Sequence, residues 1–211
     1  MNEKYIKALS DFTSTAQSNS YFIVGSVALL SYTQKYGYDR EIHDIDIIME
    51  ATEALKTAER LRELGYNQNT FINPRMPFYS KLMKHSQDRY LRFSKDTVDI
   101  EILATSITDQ NGLILFEIYP GIKAGIPQEV FTTSIYSNVE FRTVTKEMLY
   151  FFKKFANNTF GRKVTYKEQQ RYDDIAAIEG VLDNQLFKNI ANRCRLLILG
   201  LPIKIPAFFY S

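Results

Sequence analysis

Residues 24–50 read VGSVALLSYTQKYGYDREIHDIDIIME, and two aspartates one residue apart, Asp44 and Asp46, interrupt an otherwise apolar run near its end. Strand side chains alternate between faces, so positions two apart share one. Ile45, Ile47 and Met49 therefore pack inward, while Asp44 and Asp46 project together on the other side. Like charges that close repel and call for a partner. A hard divalent cation, Mg²⁺ or Mn²⁺, accepts carboxylate oxygens and leaves room for substrate phosphates. The plain alternative for so short a pattern is an exposed strand edge with two ordinary surface acids. Ahead of the acids, YFIV at 21–24 is a β-type run, and Gly25-Ser26 opens a helical segment reaching about Lys35. The glycine lets backbone approach a ligand closely, and the serine either caps the helix or, with the free N–H groups, holds a phosphate.

A third carboxylate comes from TVDIEIL at 97–103, where Asp99 and Glu101 share a face and Val98, Ile100 and Ile102 fill the other. Either would complete a three-acid cluster. Asp99 is preferred, because the shorter carboxylate is the commoner Mg²⁺ ligand. Arg40 and His43 precede the acids and either touch phosphate or balance charge. His43 and His85 are the two histidines, too few for a His-rich metal site. No Walker loop, Rossmann glycine pattern, nucleophile elbow or H-E-x-x-H pattern occurs.

The 211 residues are 45% hydrophobic and 24% charged, the composition of an ordinary globular protein. One cysteine, Cys194, excludes an internal disulfide and fits a reducing cytoplasm; it reads as a helix-face residue. The opening MNEKYIKALSDFTS is polar and acid-containing, unlike a signal or transit peptide. No apolar run approaches the ~20 residues of a membrane span, so no membrane partner is expected. The net charge of +2 is unevenly spread. Residues 1–142 carry 15 basic against 18 acidic residues, and residues 143–211 carry 11 against 6. The second part, net +5, suits an anionic partner such as a nucleotide or RNA.

Helical spacing over 2–18, an amphipathic ALKTAERLRELGY helix at 54–66 ended by Gly65, and strands at 78–84, 89–94 and 97–103 complete the first half. Short β-like pieces with Gly and Pro occupy 113–142. From Thr145 the pattern turns helical in KEMLYFFKKFANN, YKEQQRYDDIAAIEGVL and DNQLFKNIANRCRLLI. Two domains are expected: residues 1–142, an α/β unit with a small mixed twisted sheet and flanking helices, and residues 143–211, a helical bundle. The apolar tail IPAFFYS either docks a partner or packs on the bundle.

Strand, Gly-Ser, helix, a strand bearing D-x-D and a later strand bearing one more acid is an order that resembles the nucleotidyltransferase superfamily. The 17 residues between Ser26 and Asp44 make a longer connection than is usual there. The helical stretches TKEMLYFFKKFANN and RKVTYKEQQRYDDIAAIEG are similar to the AbiEii family of abortive-infection and toxin nucleotidyltransferases. That resemblance covers about residues 20–180. It implies a lysine and an aspartate that reach the nucleotide from the bundle. The lysine falls on Lys153, with Lys154 as the other register, and the aspartate on Asp174, with Asp173 as the other; the K-D that usually precedes the family's aspartate is missing. The resemblance further implies Mg²⁺ or Mn²⁺ held by Asp44, Asp46 and Asp99, an NTP bound at Gly25, Ser26 and Lys153, and GTP as the favoured donor. It implies transfer of a nucleoside monophosphate to an RNA, such as a tRNA 3′ end, or to a protein, in a toxin restrained by an antitoxin. The same core serves small hydroxylated antibiotics, which a wide acidic cleft would favour. A nucleotide-binding or interaction module without turnover is the reading from another class.

Overall fold

A computed structural model describes residues 3–17, 19–69, 90–119, 122–160, 166–198 and 200–205. The strand expected at 78–84, His85 and most of the IPAFFYS tail lie outside them. In chain order the elements are α1 (Glu3–Thr15), β1 (Tyr21–Val24), α2 (Gly25–Thr33), β2 (Asp44–Glu50), α3 (Ala51–Glu63), β3 (Asn67–Asn69), β4 (Tyr90–Lys95), β5 (Val98–Thr105), β6 (Ile107–Gln110), β7 (Leu113–Tyr119), β8 (Ile122–Pro127), β9 (Phe131–Tyr136), β10 (Val139–Val144), α4 (Lys146–Phe160), α5 (Tyr166–Glu179), α6 (Asn184–Arg193), β11 (Arg195–Ile198) and β12 (Leu201–Lys204). Single 3₁₀ turns follow α2 and β8.

Seven strands form a mixed sheet in the order β3-β4-β5-β2-β1-β10-β9, with β2 parallel to β5 and β1 parallel to β10. One face of this sheet carries the period-2 apolar set Ile45, Ile47, Met49, Ile100 and Ile102, buried with Leu9 and Phe12 of α1 and Ala58 and Leu61 of α3. The other face packs Phe22 and Val144 in a second core with Leu149 and Phe151 of α4, Ile178 of α5 and Ile190 of α6. Helix α2 is apolar on all sides, and it serves both cores: Val27 and Leu30 belong to the first, Ala28 and Leu29 to the second. A helix without a polar face must be buried, and this one begins at Gly25, against Asp46.

Helix α3 ends as its sequence predicts. Gly65 takes φ +84°, Tyr66 N–H donates to Leu61 C=O at 3.0 Å and Gly65 N–H to Arg62 C=O at 2.9 Å, the paired closure that a left-handed glycine permits. The end of α6 differs from expectation. DNQLFKNIANRCRLLI is helical only as far as Arg193, Cys194 is extended at the C-cap, and Arg195–Ile198 pairs with β8. A four-residue apolar run has no periodicity that separates helix from strand; here the open side of β8 decides. Cys194 is accordingly a buried residue just beyond the helix. Strands β11 and β12 complete a second, antiparallel sheet ordered β12-β11-β8-β7-β6, so that sheet draws strands from both sides of residue 143.

Candidate active site

Strands β2 and β5 run parallel with Asp44 opposite Asp99 and Asp46 opposite Glu101. Ile45, Ile47, Ile100 and Ile102 point into the first core, so all four acids share the opposite face. Carboxylate oxygens of Asp44, Asp46 and Glu101 lie within 4.8 Å of one another. The third acid gathered is thus Glu101, where Asp99 was expected. The reason lies on the neighbouring strand. The two-residue turn Asp96–Thr97, with both φ values positive, closes the β4–β5 hairpin so that Arg92 stands opposite Glu101. Arg92 reaches Asp99 in a close ion pair, which leaves the longer Glu101 beside Asp46. Arg92 Nε is also 3.6 Å from Glu101 Oε1, and Tyr90 O–H donates to Glu101 Oε2.

Burial raises the Asp46 carboxyl to about 7, and the charges of Asp44 and Glu101 add to the rise, while Lys153 and Arg40 oppose it. The Glu101 pKa is likewise raised by burial, against the hydrogen bond from Tyr90. Burial is the larger cause for both acids, and the neighbouring carboxylates add to it. Three convergent carboxylates are the donor set that Mg²⁺ and Mn²⁺ take.

Gly25 is required by the same cluster. Val24 pairs with Asp46 across the β1–β2 ladder, and the chain then turns sharply into α2 with Gly25 at φ +68°. A Cβ at this position would lie 2.0 Å from Asp46 Oδ2, so no side chain fits while the aspartate holds its place. Ser26 is buried, 6% exposed. Val24 occupies the N-cap position, and no side chain caps the first turn. The capping role expected of Ser26 is not taken, because the helix begins one residue earlier.

On the facing helices Lys153 of α4 and Asp174 of α5 meet at 2.8 Å. Arg40, in the connection before β2, pairs with the same carboxylate oxygen at 2.7 Å, and Tyr38 O–H donates to the other at 2.8 Å. Asp174 is 1% exposed. The alternative registers point elsewhere: Lys154 Nζ lies 5.7 Å from the Tyr150 ring centroid, and exposed Asp173 accepts from Gln169 at 3.0 Å. Arg40 therefore faces Asp174 and, through space, Asp46. His43 is exposed. Tyr38, Tyr90 and Arg92 were not singled out in the sequence; only their nearness in the chain to Asp44 or Asp99 marked them.

Gly25, Asp46 and Lys153 line a cavity of about 420 Å³ that runs beneath α4, between the two sheets. Phe116, Leu149, Phe152, Phe155, Cys194 and Leu196 supply much of its apolar wall, and Arg171 and Arg195 also line it. Burial pushes the Cys194 thiol up to about 12, so it serves as an inert wall group. Asp46 is the one acid among the described lining residues.

No family model and no curated protein matches the chain. Likeness comes from solved structures. One is the lincosamide antibiotic adenylyltransferase LnuA with lincomycin bound, at a TM-score of 0.57 and 16% identity, covering 86% of this chain and 98% of that one. Another is the solution structure of the antibiotic-resistance factor ANT(2'')-Ia, at 0.60 and 10% identity over 90% of each chain. A crystal structure of ANT(2'')-Ia with adenylyl-2''-tobramycin matches at 0.57 and 10% identity, covering 89% and 94%. At such identities the likeness establishes the fold: a nucleotidyltransferase-like mixed, twisted sheet with packed helices.

Proposed function

We propose that the chain is a metal-dependent nucleotidyltransferase that moves a nucleoside monophosphate from an NTP to a hydroxyl of a small-molecule acceptor. The observation that carries this reading is the convergence of Asp44, Asp46 and Glu101 within 4.8 Å, against a glycine that has no room for a side chain. Asp44 and Asp46, with Glu101, would hold Mg²⁺ or Mn²⁺. When bound, the ion supplies charge neutralisation at the α-phosphate and makes the acceptor hydroxyl more acidic. In the transfer the acceptor oxygen bonds to the α-phosphorus, the bond from that phosphorus to the β-phosphate bridging oxygen breaks, and pyrophosphate leaves with the electron pair. Glu101, in the role expected of Asp99, takes the acceptor proton directly or through water. Gly25 and Ser26 bring backbone N–H groups of α2 to the outgoing phosphates, and Lys153 neutralises their charge. Asp174, itself anchored by Arg40 and the Tyr38 hydroxyl, holds that lysine in place.

A small acceptor is favoured over RNA or a protein by how the basic residues of 143–211 are used. Lys153 is paired with Asp174, Arg193 with Glu129, and Lys146 with the Val181 carbonyl. Arg195 donates to the Asn192 and Cys194 carbonyls. Four of the 11 basic residues of 143–211 are thus engaged by groups of the chain itself, which leaves a smaller surplus for a phosphate backbone than the sequence count suggests. The likeness to LnuA and ANT(2'')-Ia extends over nine-tenths or more of those chains, and it supports the same class of acceptor. The AbiEii-like reading, with an RNA acceptor and an antitoxin partner, is tested by the same assay. The protein is incubated with Mg²⁺ and each α-labelled NTP, and with hydroxylated antibiotics including lincomycin and tobramycin or with total RNA, beside the Asp44→Ala, Asp46→Ala double variant. Label on a small molecule, made by the parent alone, is the expected result. Label on RNA or protein alone would sink the small-acceptor reading, and no label anywhere would sink the transferase.

A further inference from the structure

We infer that Asp99 is a positioning residue: it draws the Arg92 guanidinium away from Glu101 and so keeps that carboxylate available to the divalent cation. Asp99 acts on the cluster through Arg92, without itself being a ligand. The inference rests on the metal-dependent transfer reading above.

Cross-strand geometry sets the pairing that Asp99 overrides. Arg92 of β4 stands directly opposite Glu101 of β5, and directly opposed residues of an antiparallel pair have Cβ atoms about 4.5–5.5 Å apart. Asp99 lies opposite Ser94, on the diagonal from Arg92, where the spacing grows to about 7–8 Å. Position alone therefore favours an Arg92–Glu101 pair. The guanidinium instead leans along the sheet, its Nη2 donating to Asp99 Oδ2 in a close ion pair, while its Nε stays 3.6 Å from Glu101 Oε1. The Arg92 pKa follows the same preference. It is raised first by the hydrogen bond to Asp99, against burial, and the charge of Glu101 is a smaller cause than that of Asp99.

Asp99 gives up its own place in the cluster to do this. It stands opposite Asp44 across the β2–β5 ladder, yet the carboxylates that converge are Asp44, Asp46 and Glu101. From the same strand as Arg92, the Tyr90 hydroxyl donates to Glu101 Oε2 and steadies the longer side chain. Removing the charge of Asp99 leaves Glu101, the residue directly opposite, to take the guanidinium. A guanidinium forked on a carboxylate competes with a metal ion for the same oxygens. The Arg92, Asp99 and Glu101 side chains are 30%, 23% and 16% exposed, so solvent screens this competition only in part.

The test is binding of Mn²⁺, read from the electron paramagnetic resonance of the unbound ion, to the parent, Asp99→Asn, Glu101→Gln and the chain carrying both, each checked by thermal melting without metal. Asp99→Asn should weaken binding by about tenfold. In the Glu101→Gln chain the same substitution should cost no more than about threefold, the share due to the uncompensated Arg92 charge alone. Adding Arg92→Met to Asp99→Asn should return binding to within about threefold of the parent, and Asp99→Glu, which keeps the charge, should do the same. Asp99→Ser replaces the asparagine variant should that chain fail to fold. An equal loss in both backgrounds would make Asp99 a ligand and overturn the inference, as would an Asp99→Asn chain that binds like the parent or that Arg92→Met does not rescue; in each case metal-dependent transfer would stand. Absence of Mn²⁺ binding by the parent overturns the metal-dependent reading as well.

Discussion

Asp46 on β2 and Asp174 on α5 are both buried carboxylates, yet their surroundings are opposite. Asp46 faces Asp44 and Glu101 and is pushed up to about 7. Asp174 receives Lys153, Arg40 and the Tyr38 hydroxyl. The first is a buried cluster of like charges, which in the function proposed above is met by a divalent cation. The second is satisfied within the chain. Its work is positional: it ties α4, α5 and the connection before β2 together and fixes the lysine that faces the cavity. Repulsion marks the candidate chemistry, and compensation marks its scaffold.

That contrast can be broken from either side. The largest effect is expected from Asp174→Ala, which leaves two largely buried cations without their counter-ion and should cost about 3–5 kcal/mol of stability, read by urea melts. Removing one of the two cations as well, with Lys153→Met in the same chain, should recover part of it.

Asp46→Asn should act with the opposite sign. Folding raises this pKa from 3.8 to about 7, so the folded chain keeps a proton that the unfolded chain releases between those values. Stability then falls as pH rises through that window and stays low above it. In the absence of divalent cations the variant should match the parent below pH ~4 and exceed it at pH 8 by up to about 4 kcal/mol. Added Mg²⁺ should narrow the gap, because the ion supplies the charge that the cluster lacks; a gap indifferent to both pH and Mg²⁺ would refute this account.

Gly25→Ala comes next. Its φ of +68° and the 2.0 Å approach to Asp46 Oδ2 should cost about 1–3 kcal/mol and abolish any Mg²⁺-induced rise in melting temperature. The smallest effect is the yardstick outside both regions. Asp183 caps α6 by accepting from Gln185 N–H and Leu186 N–H at 2.9 Å each, and Asp183→Ala should cost about 1 kcal/mol, a fall of about 2–4 °C in melting temperature.

Much of this contrast was legible in the residues. The alternation around Asp44 and Asp46 indicated their shared face, and the same alternation around Ile100 put Asp99 and Glu101 on one face of a second strand. The glycine before α2 was legible as a close approach, though not the atom it approaches. Lys153 and Asp174 were reached by resemblance, and the structure brings the two together. What remained hidden has a common origin. Choosing between Asp99 and Glu101 depends on the register of β4 against β5, which aims Arg92, and that register comes from a turn whose effect appears only across strands. The fate of RCRLL depended on whether β8 had an open side.

Local pattern alone determined the α/β class, the strand and helix around Gly25 and the side on which each acid stands, because side-chain period and backbone sterics act over a few residues. Tertiary structure alone decided which carboxylates converge, which cations they meet and what lines the cavity between the sheets. Those are contacts between residues far apart in the chain, such as Arg40 with Asp174, and only the packed arrangement of strands and helices sets their distances.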